Sequence, residues 1–157
     1  MGEVTESVDV GVDVRTAYNQ WTQFEEFPRF MEGVERVEQV DDSHLKWQVE
    51  IAGVDRSFDA EITEQVPDQR IAWTTTSGPD QAGVVTFHRL DDEATRVTLQ
   101  MRFNPEGFSE TVADVTGLVT ARTKGDLTRF KDFIESRDQE TGAWRGEIDE
   151  PSGQPGG

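Results

Sequence analysis

Arg122 and Asp126 lie four residues apart on a segment of helical periodicity, on or beside an apolar stripe that continues at Val119 and Phe130. That spacing lets a guanidinium and a carboxylate pair on one helix face. Turned towards an interior, the two are a polar anchor for a ligand's oxygen or nitrogen atoms. As a catalyst, the carboxylate acts as base and the guanidinium holds an enolate oxygen. At the edge of the stripe, the same pair simply reaches water.

Other chemistry is sparse. The chain has two His and no Cys, which removes disulfides, thiolate nucleophiles and cysteine-containing zinc sites. His44 falls at a hairpin turn beside Asp42 and Ser43, and His88 alternates with Phe87 on a strand. They belong to separate hairpins and are expected as a surface and a strand residue. No Gly-rich phosphate loop or Gly-x-Ser-x-Gly elbow occurs. Asp41-Asp42 and Asp91-Asp92 are turn residues, and Asp138 and Glu140 a solvated helix end. No metal and no cofactor is expected.

The chain has 157 residues, with 32 acidic against 15 basic and a formal charge of −17. That length is one domain's worth. The acidic surface repels phosphate backbones and anionic headgroups, so neither nucleic acid nor stable membrane association is expected. No apolar run nears the ~18 residues of a membrane span, and the N-terminus lacks a signal-peptide layout. A cytoplasmic location is the default, and composition leaves the oligomeric state open.

Seven strands follow from alternation and turns: Val4–Val10, Val34–Val40, Leu45–Ile51, Arg56–Val66, Arg70–Thr76, Gly83–Leu90 and Val97–Phe103. Turns are expected at Asp41-Asp42-Ser43, Ala52-Gly53, Pro67-Asp68, Gly78-Pro79 and Asp91-Asp92, giving antiparallel hairpins. Asp13 can cap a helix carrying Val14, Ala17, Tyr18, Trp21 and Phe24, followed by a short one over Glu25–Met31. A long helix of roughly 30 residues follows Ser109, with Glu110 in its first turn. The domain spans 1–139. Residues 140–157 are rich in Gly and Pro and expected to be mostly disordered, with Trp144 and Ile148 pinning their first half to the body.

This order resembles the SRPBCC superfamily, the START-like or helix-grip proteins, and within it the bacterial polyketide cyclase/dehydrase branch. The resemblance covers about Glu3–Gln139. It rests on Val12-Asp13-Val14, on Trp21 with Phe24-Glu25-Glu26-Phe27-Pro28-Arg29-Phe30-Met31, and on Glu61-Ile62, Pro67 and Arg70-Ile71-Ala72-Trp73. Gly83-Val84-Val85-Thr86-Phe87 and Arg129-Phe130-Lys131 complete it. It implies an α+β helix-grip fold, a seven-stranded curved antiparallel sheet around a long C-terminal helix, with two short helices between the first two strands. An apolar cavity would lie between sheet and helix, and Phe27–Met31 would lid it.

On the fourth strand, periodicity sends Phe58, Ala60, Ile62 and Val66 inward and Asp59, Glu61, Thr63 and Gln65 to water. The resemblance implies the reverse, since aromatase/cyclases point the second set into their cavity. A bulge would reconcile the two; without one, periodicity is favoured for Asp59 and Glu61. The candidate ligand-binding residues are Phe27, Phe30, Met31, Gln65, Trp73, Phe87, Met101, Val119, Arg122 and Asp126. The expected function is binding of a small hydrophobic or amphipathic molecule. The alternatives are a polyketide cyclase/dehydratase-type enzyme, with Arg122 and Asp126 catalytic, and a quinone or lipid chaperone. Against the enzyme, Gln65 stands where the resemblance implies an Arg, and Val34 where it implies a Tyr.

Overall fold

Asp13 has extended backbone, and its carboxylate accepts hydrogen bonds from the Thr16 backbone N–H at 3.3 Å and the Thr16 hydroxyl at 2.6 Å. This cap satisfies amide groups that the first helical turn leaves open. It starts helix α1, Val14–Trp21. The computed structural model describes residues 2–51, 54–77, 81–103, 115–137, 141–144, 146 and 148.

The second short helix, expected over Glu25–Met31, is a 3-10 turn over Phe24–Arg29. Pro28 has no N–H for an i→i−4 bond, which favours a short tight turn over a full α-helix. Phe30 and Met31 therefore leave the turn and become its exit. Glu32 and Gly33 then carry the chain to the sheet.

The strands are β1 (Gly2–Val10), β2 (Val34–Gln39), β3 (His44–Ile51), β4 (Val54–Val66), β5 (Arg70–Ser77), β6 (Gln81–Asp91) and β7 (Ala94–Phe103). They form one sheet in the order β1-β7-β6-β5-β4-β3-β2, with every pair antiparallel. The turn residues act as their types suggest. Asp41 accepts from the Ser43 N–H at 2.9 Å and Asp91 from the Glu93 N–H at 2.7 Å, while Asp68 takes the left-handed φ of 63°. The Ala52-Gly53 and Gly78-Pro79 turns lie outside the described residues.

β4 contains the bulge that reconciles its two expected faces. Ile62 opposes Trp73 and Glu64 opposes Ala72, so Thr63 is an extra residue. Before it, Phe58, Ala60 and Ile62 are buried and Asp59 and Glu61 are half-buried. After it the phase flips, and Gln65 is buried while Val66 is not.

Helix α2 runs Val115–Arg137; the expected cap at Ser109 and Glu110 lies outside the described residues. Its buried face is Thr123, Leu127, Phe130 and Ile134, which leaves Asp126 and Phe133 at the margin of the stripe. The helix lies along β1, where the Lys131 ammonium donates to the Asp9 carbonyl at 3.1 Å and Glu135 accepts from the Gly11 N–H at 2.6 Å. Trp21 joins α1, the 3-10 turn, the sheet and α2. Its ring meets Phe27, Phe30, Phe87 and Phe130 at centroid distances of 5.6, 6.2, 6.3 and 4.8 Å. Such tilted aromatic contacts add to plain area burial.

The described part of the C-terminal segment lies against the body. The buried Gln20 side chain accepts from the Thr141 N–H at 2.8 Å and donates to the Thr141 hydroxyl at 2.9 Å. Trp144 N–H donates to the Thr22 hydroxyl at 3.1 Å, and Ile148 forms an antiparallel bridge with Gln65. Residues 149–157 lie outside the described residues.

Candidate ligand cavity

Alternation on β3, β4, β5 and β7 turns one apolar face of the sheet towards α2, and the two do not fill the space between them. A cavity of about 150 Å³ remains. The sheet supplies Leu45, Trp47, Phe58, Ile71, Trp73 and Met101 among its walls. Trp21, Phe24, Phe27 and Met31 close it on the side of α1 and the 3-10 turn. Helix α2 contributes Val119, Arg122, Thr123 and Asp126.

Two glycines make room for wall residues. Gly83 opposes Trp73 in the ladder, and a Cβ on it would lie 2.5 Å from the indole Cζ2. The indole thus lies over the bare backbone of Gly83. Gly33 has φ +88°, and a Cβ there would lie 1.8 Å from Arg122 Nη1. The absent side chain lets Arg122 reach through to the backbone beyond.

Of the ten candidate residues, Phe27, Met31, Trp73, Met101, Val119, Arg122 and Asp126 line the cavity. Three are placed elsewhere. Phe30 packs between the 3-10 turn and α2, its ring 5.2 Å from Phe130 and 5.3 Å from Phe133. Phe87 sits under α1, edge-on to Tyr18 at 5.4 Å. Gln65 lies beneath the C-terminal segment, because the bulge at Thr63 carries its side chain inward beyond the cavity-lining part of β4. Its amide has no hydrogen-bond partner among the described residues.

The expected pairing of Arg122 with Asp126 is replaced by another. Asp126 Oδ1 accepts from Arg129 Nη2 at 2.5 Å and from the Glu32 N–H at 3.0 Å. A carboxylate N-terminal to its cation is the favoured orientation on a helix, so Arg129 is a better partner than Arg122. Arg122 Nη1 instead donates to the Glu32 carbonyl at 2.9 Å and the Glu50 carbonyl at 3.4 Å. Arg129 Nε donates to the Phe30 carbonyl at 2.9 Å. Together these α2 side chains clasp the segment Phe30–Gly33 to the helix. The three-residue spacing of Arg129 from Asp126 is the sequence signal for this pair. Thr123, Trp47 and Phe58 also line the cavity, and neither a helix threonine nor inward alternation on a strand separates a cavity wall from a filled core.

Asp126 is the chemically distinctive wall residue. Burial pushes its carboxyl up to about 6, against the opposing pull of the Arg129 hydrogen bond. The Asp41–Ser43–His44 turn offers no comparable site. The Ser43 hydroxyl and Asp41 carboxylate share one His44 nitrogen, Nδ1, at 3.1 and 2.9 Å, so no relay runs through the ring. Glu35, Glu50 and Asp55 gather three exposed carboxylates within 4.8 Å of one another, as solvated acids do without a cation.

Comparison with known proteins agrees with this architecture. Residues 10–132 match the family described as polyketide cyclase/dehydrase and lipid transport. An uncharacterized 17.2 kDa protein of Streptomyces lincolnensis is 61% identical over 149 residues, covering 94% of this chain and 99% of its own. The ZhuI aromatase/cyclase of Streptomyces sp. R1128 superposes with a TM-score of 0.75 at 16% identity, over 90% of this chain and 98% of its own. A START superfamily protein of Mycobacterium smegmatis does so with a TM-score of 0.68 at 15% identity, over 87% and 97%. Among the described residues no helix is long and apolar enough to cross a membrane. With the family pattern spanning most of its length and the helix-grip architecture beneath it, the chain belongs to the polyketide cyclase/dehydrase and lipid transport family.

Proposed function

We propose that the protein binds a small apolar or amphipathic molecule in the cavity between the sheet and α2. The observation carrying this is the cavity's composition: aromatic and aliphatic walls with a few polar groups, Glu32, Arg122, Thr123 and Asp126 beside α2 and Gln81 on β6. Binding sites for small molecules have this character, mostly apolar with a few polar groups that set orientation. The size of about 150 Å³ decides the scale. An apolar cavity of that volume admits a benzene-sized molecule, whereas drug-sized ligands occupy roughly 300–1,000 Å³. A long polyketide chain therefore needs the lid to move, and a one-ring ligand does not.

A second function, acid/base catalysis, is favoured by one observation: Asp126 lines the cavity and its carboxyl titrates near 6, close to the working range of a general base. Native mass spectrometry of protein purified under non-denaturing conditions separates the two. A co-purifying small molecule with unchanged mass supports binding. Conversion of an added polyketide substrate that Asp126→Asn abolishes would install the enzyme instead.

A further inference from the structure

We infer that the cavity selects a neutral or amine-bearing ligand of about one ring that carries a hydrogen-bond donor, and that Asp126 Oδ2 receives that donor. This rests on the binding function proposed above. Both hydrogen bonds made by Asp126 fall on Oδ1. Oδ2 has no partner among the described residues, and a carboxylate oxygen has two lone pairs to offer. The Asp126 side chain is only 13% exposed, and the residue lines a largely apolar cavity at which this acceptor is available. An acceptor in such surroundings gains most from a hydroxyl or amine brought in by the ligand.

Charge disfavours a carboxylate-bearing ligand. The ionisable wall residues are Glu32, Arg122 and Asp126. Arg122 keeps its charge, but its Nη1 is held on the Glu32 and Glu50 carbonyls and its Nε lies 3.8 Å from the Glu32 carboxylate, so the wall carries two carboxylates against one guanidinium. A ligand carboxylate beside Asp126 would place two like charges in a low-dielectric space, which raises the cost of ionising either. Fatty acids are thereby disfavoured. The aromatic walls, with Trp47 stacked on Phe58 and Phe27 tilted against Trp47, suit a planar ring approached by face or edge.

Three matched probes test this on the full chain by fluorine NMR at neutral pH: para-fluorophenol, para-fluorotoluene and para-fluorobenzoate. The phenol is expected to bind about tenfold more tightly than the toluene, the gain of a hydrogen bond to a charged acceptor. The benzoate is expected to bind weakest. Asp126→Asn keeps an oxygen for Arg129 and the Glu32 N–H and turns an NH2 donor to the cavity. In that variant the phenol's advantage should disappear and para-fluoroacetophenone should gain, with folding checked by thermal melting. Equal binding of phenol and toluene, or benzoate binding as tightly as phenol, would overturn the selectivity while leaving cavity binding intact. Saturable binding by none of the probes would overturn the binding function and this inference with it. A phenol preference unchanged in both Asp126→Asn and Asp126→Leu would remove Asp126 from the site.

Discussion

Arg122 Nη1 occupies the space where any residue but glycine at position 33 would place its Cβ, 1.8 Å away. The Glu50 carbonyl lies 2.9 Å from the same point. Gly33→Ala must therefore displace the guanidinium, forfeit its bonds to two carbonyls and hold alanine at φ +88°. A cost of about 2 kcal/mol is expected from the strained backbone and lost bonds together. In an Arg122→Ala background the cost should shrink. Urea denaturation of the four proteins in the cycle measures this, and strict additivity would show that Arg122 and Gly33 are not coupled.

Asp126 makes stability depend on pH in an unusual sense. Its folded carboxyl titrates near 6 against an ordinary value of 3.8, so the folded state holds the proton more tightly than the unfolded state. Stability from this group therefore falls as pH rises from about 4 to 6, by about 3 kcal/mol for a shift of this size. The groups facing it are Arg129 and Arg122 on α2 and the Glu32 N–H on the segment after the 3-10 turn. Asp126→Asn should be more stable than the parent at pH 8 and lose that advantage below about pH 4. A constant difference across that range would refute the buried-carboxylate explanation.

Leu45→Ala tests whether the cavity is a true space. Leu45 is 2% exposed and forms part of the wall. Its truncation should cost about 2–5 kcal/mol and enlarge the cavity. A two-ring probe such as naphthol should then bind more tightly than to the parent, by fluorescence titration. Loss of stability with no gain for the larger probe would mean that the walls collapse inward.

The surface charge of −17 predicts self-repulsion at low salt. Melting temperature should rise in sodium chloride between about 10 mM and 1 M, as the Debye length falls from ~30 to ~3 Å. A flat or falling curve would show that ion pairs such as Arg96–Asp9 outweigh the repulsion.

The described part of the C-terminal segment is held to the body through Thr141, Trp144 and Ile148. Ending the chain at Gln139 removes the Gln20–Thr141 and Thr22–Trp144 hydrogen bonds and the Ile148 bridge. It should cost about 2–4 kcal/mol, since net hydrogen bonds are worth about 1 kcal/mol each. Ending it after Asp149 should leave the denaturation midpoint unchanged. Equal stability of both truncated chains would make the whole segment a passenger.

The seven strands were legible because Leu45, Trp47 and Val49, or Val97, Leu99 and Phe103, alternate with residues that remain in water. Asp13 announced α1 by its type and place. The bulge at Thr63 leaves no such trace, since alternation carries no mark of an inserted residue, and the residue it turns inward, Gln65, lies under the C-terminal segment. Arg122 and Arg129 both stand at allowed distances from Asp126; the favoured carboxylate-first orientation and the Phe30, Glu32 and Glu50 carbonyls decided which would pair. Phe30 and Phe87 could be read as buried. An apolar type does not say whether it faces an empty or a filled part of the interior.

The inserted Thr63 has a consequence for how the lineage can change length. With Ile62 inward, Glu64 paired to Arg70 and Gln65 inward, removing Thr63 leaves every other β4 side chain on the face it already occupies. Losing one of the residues Ala60–Ile62, where the ladder is regular, would instead exchange the two faces of part of the strand. Single-residue gaps among descendants of this sequence should accordingly gather at the bulge, where the ladder absorbs them without rewriting the cavity wall.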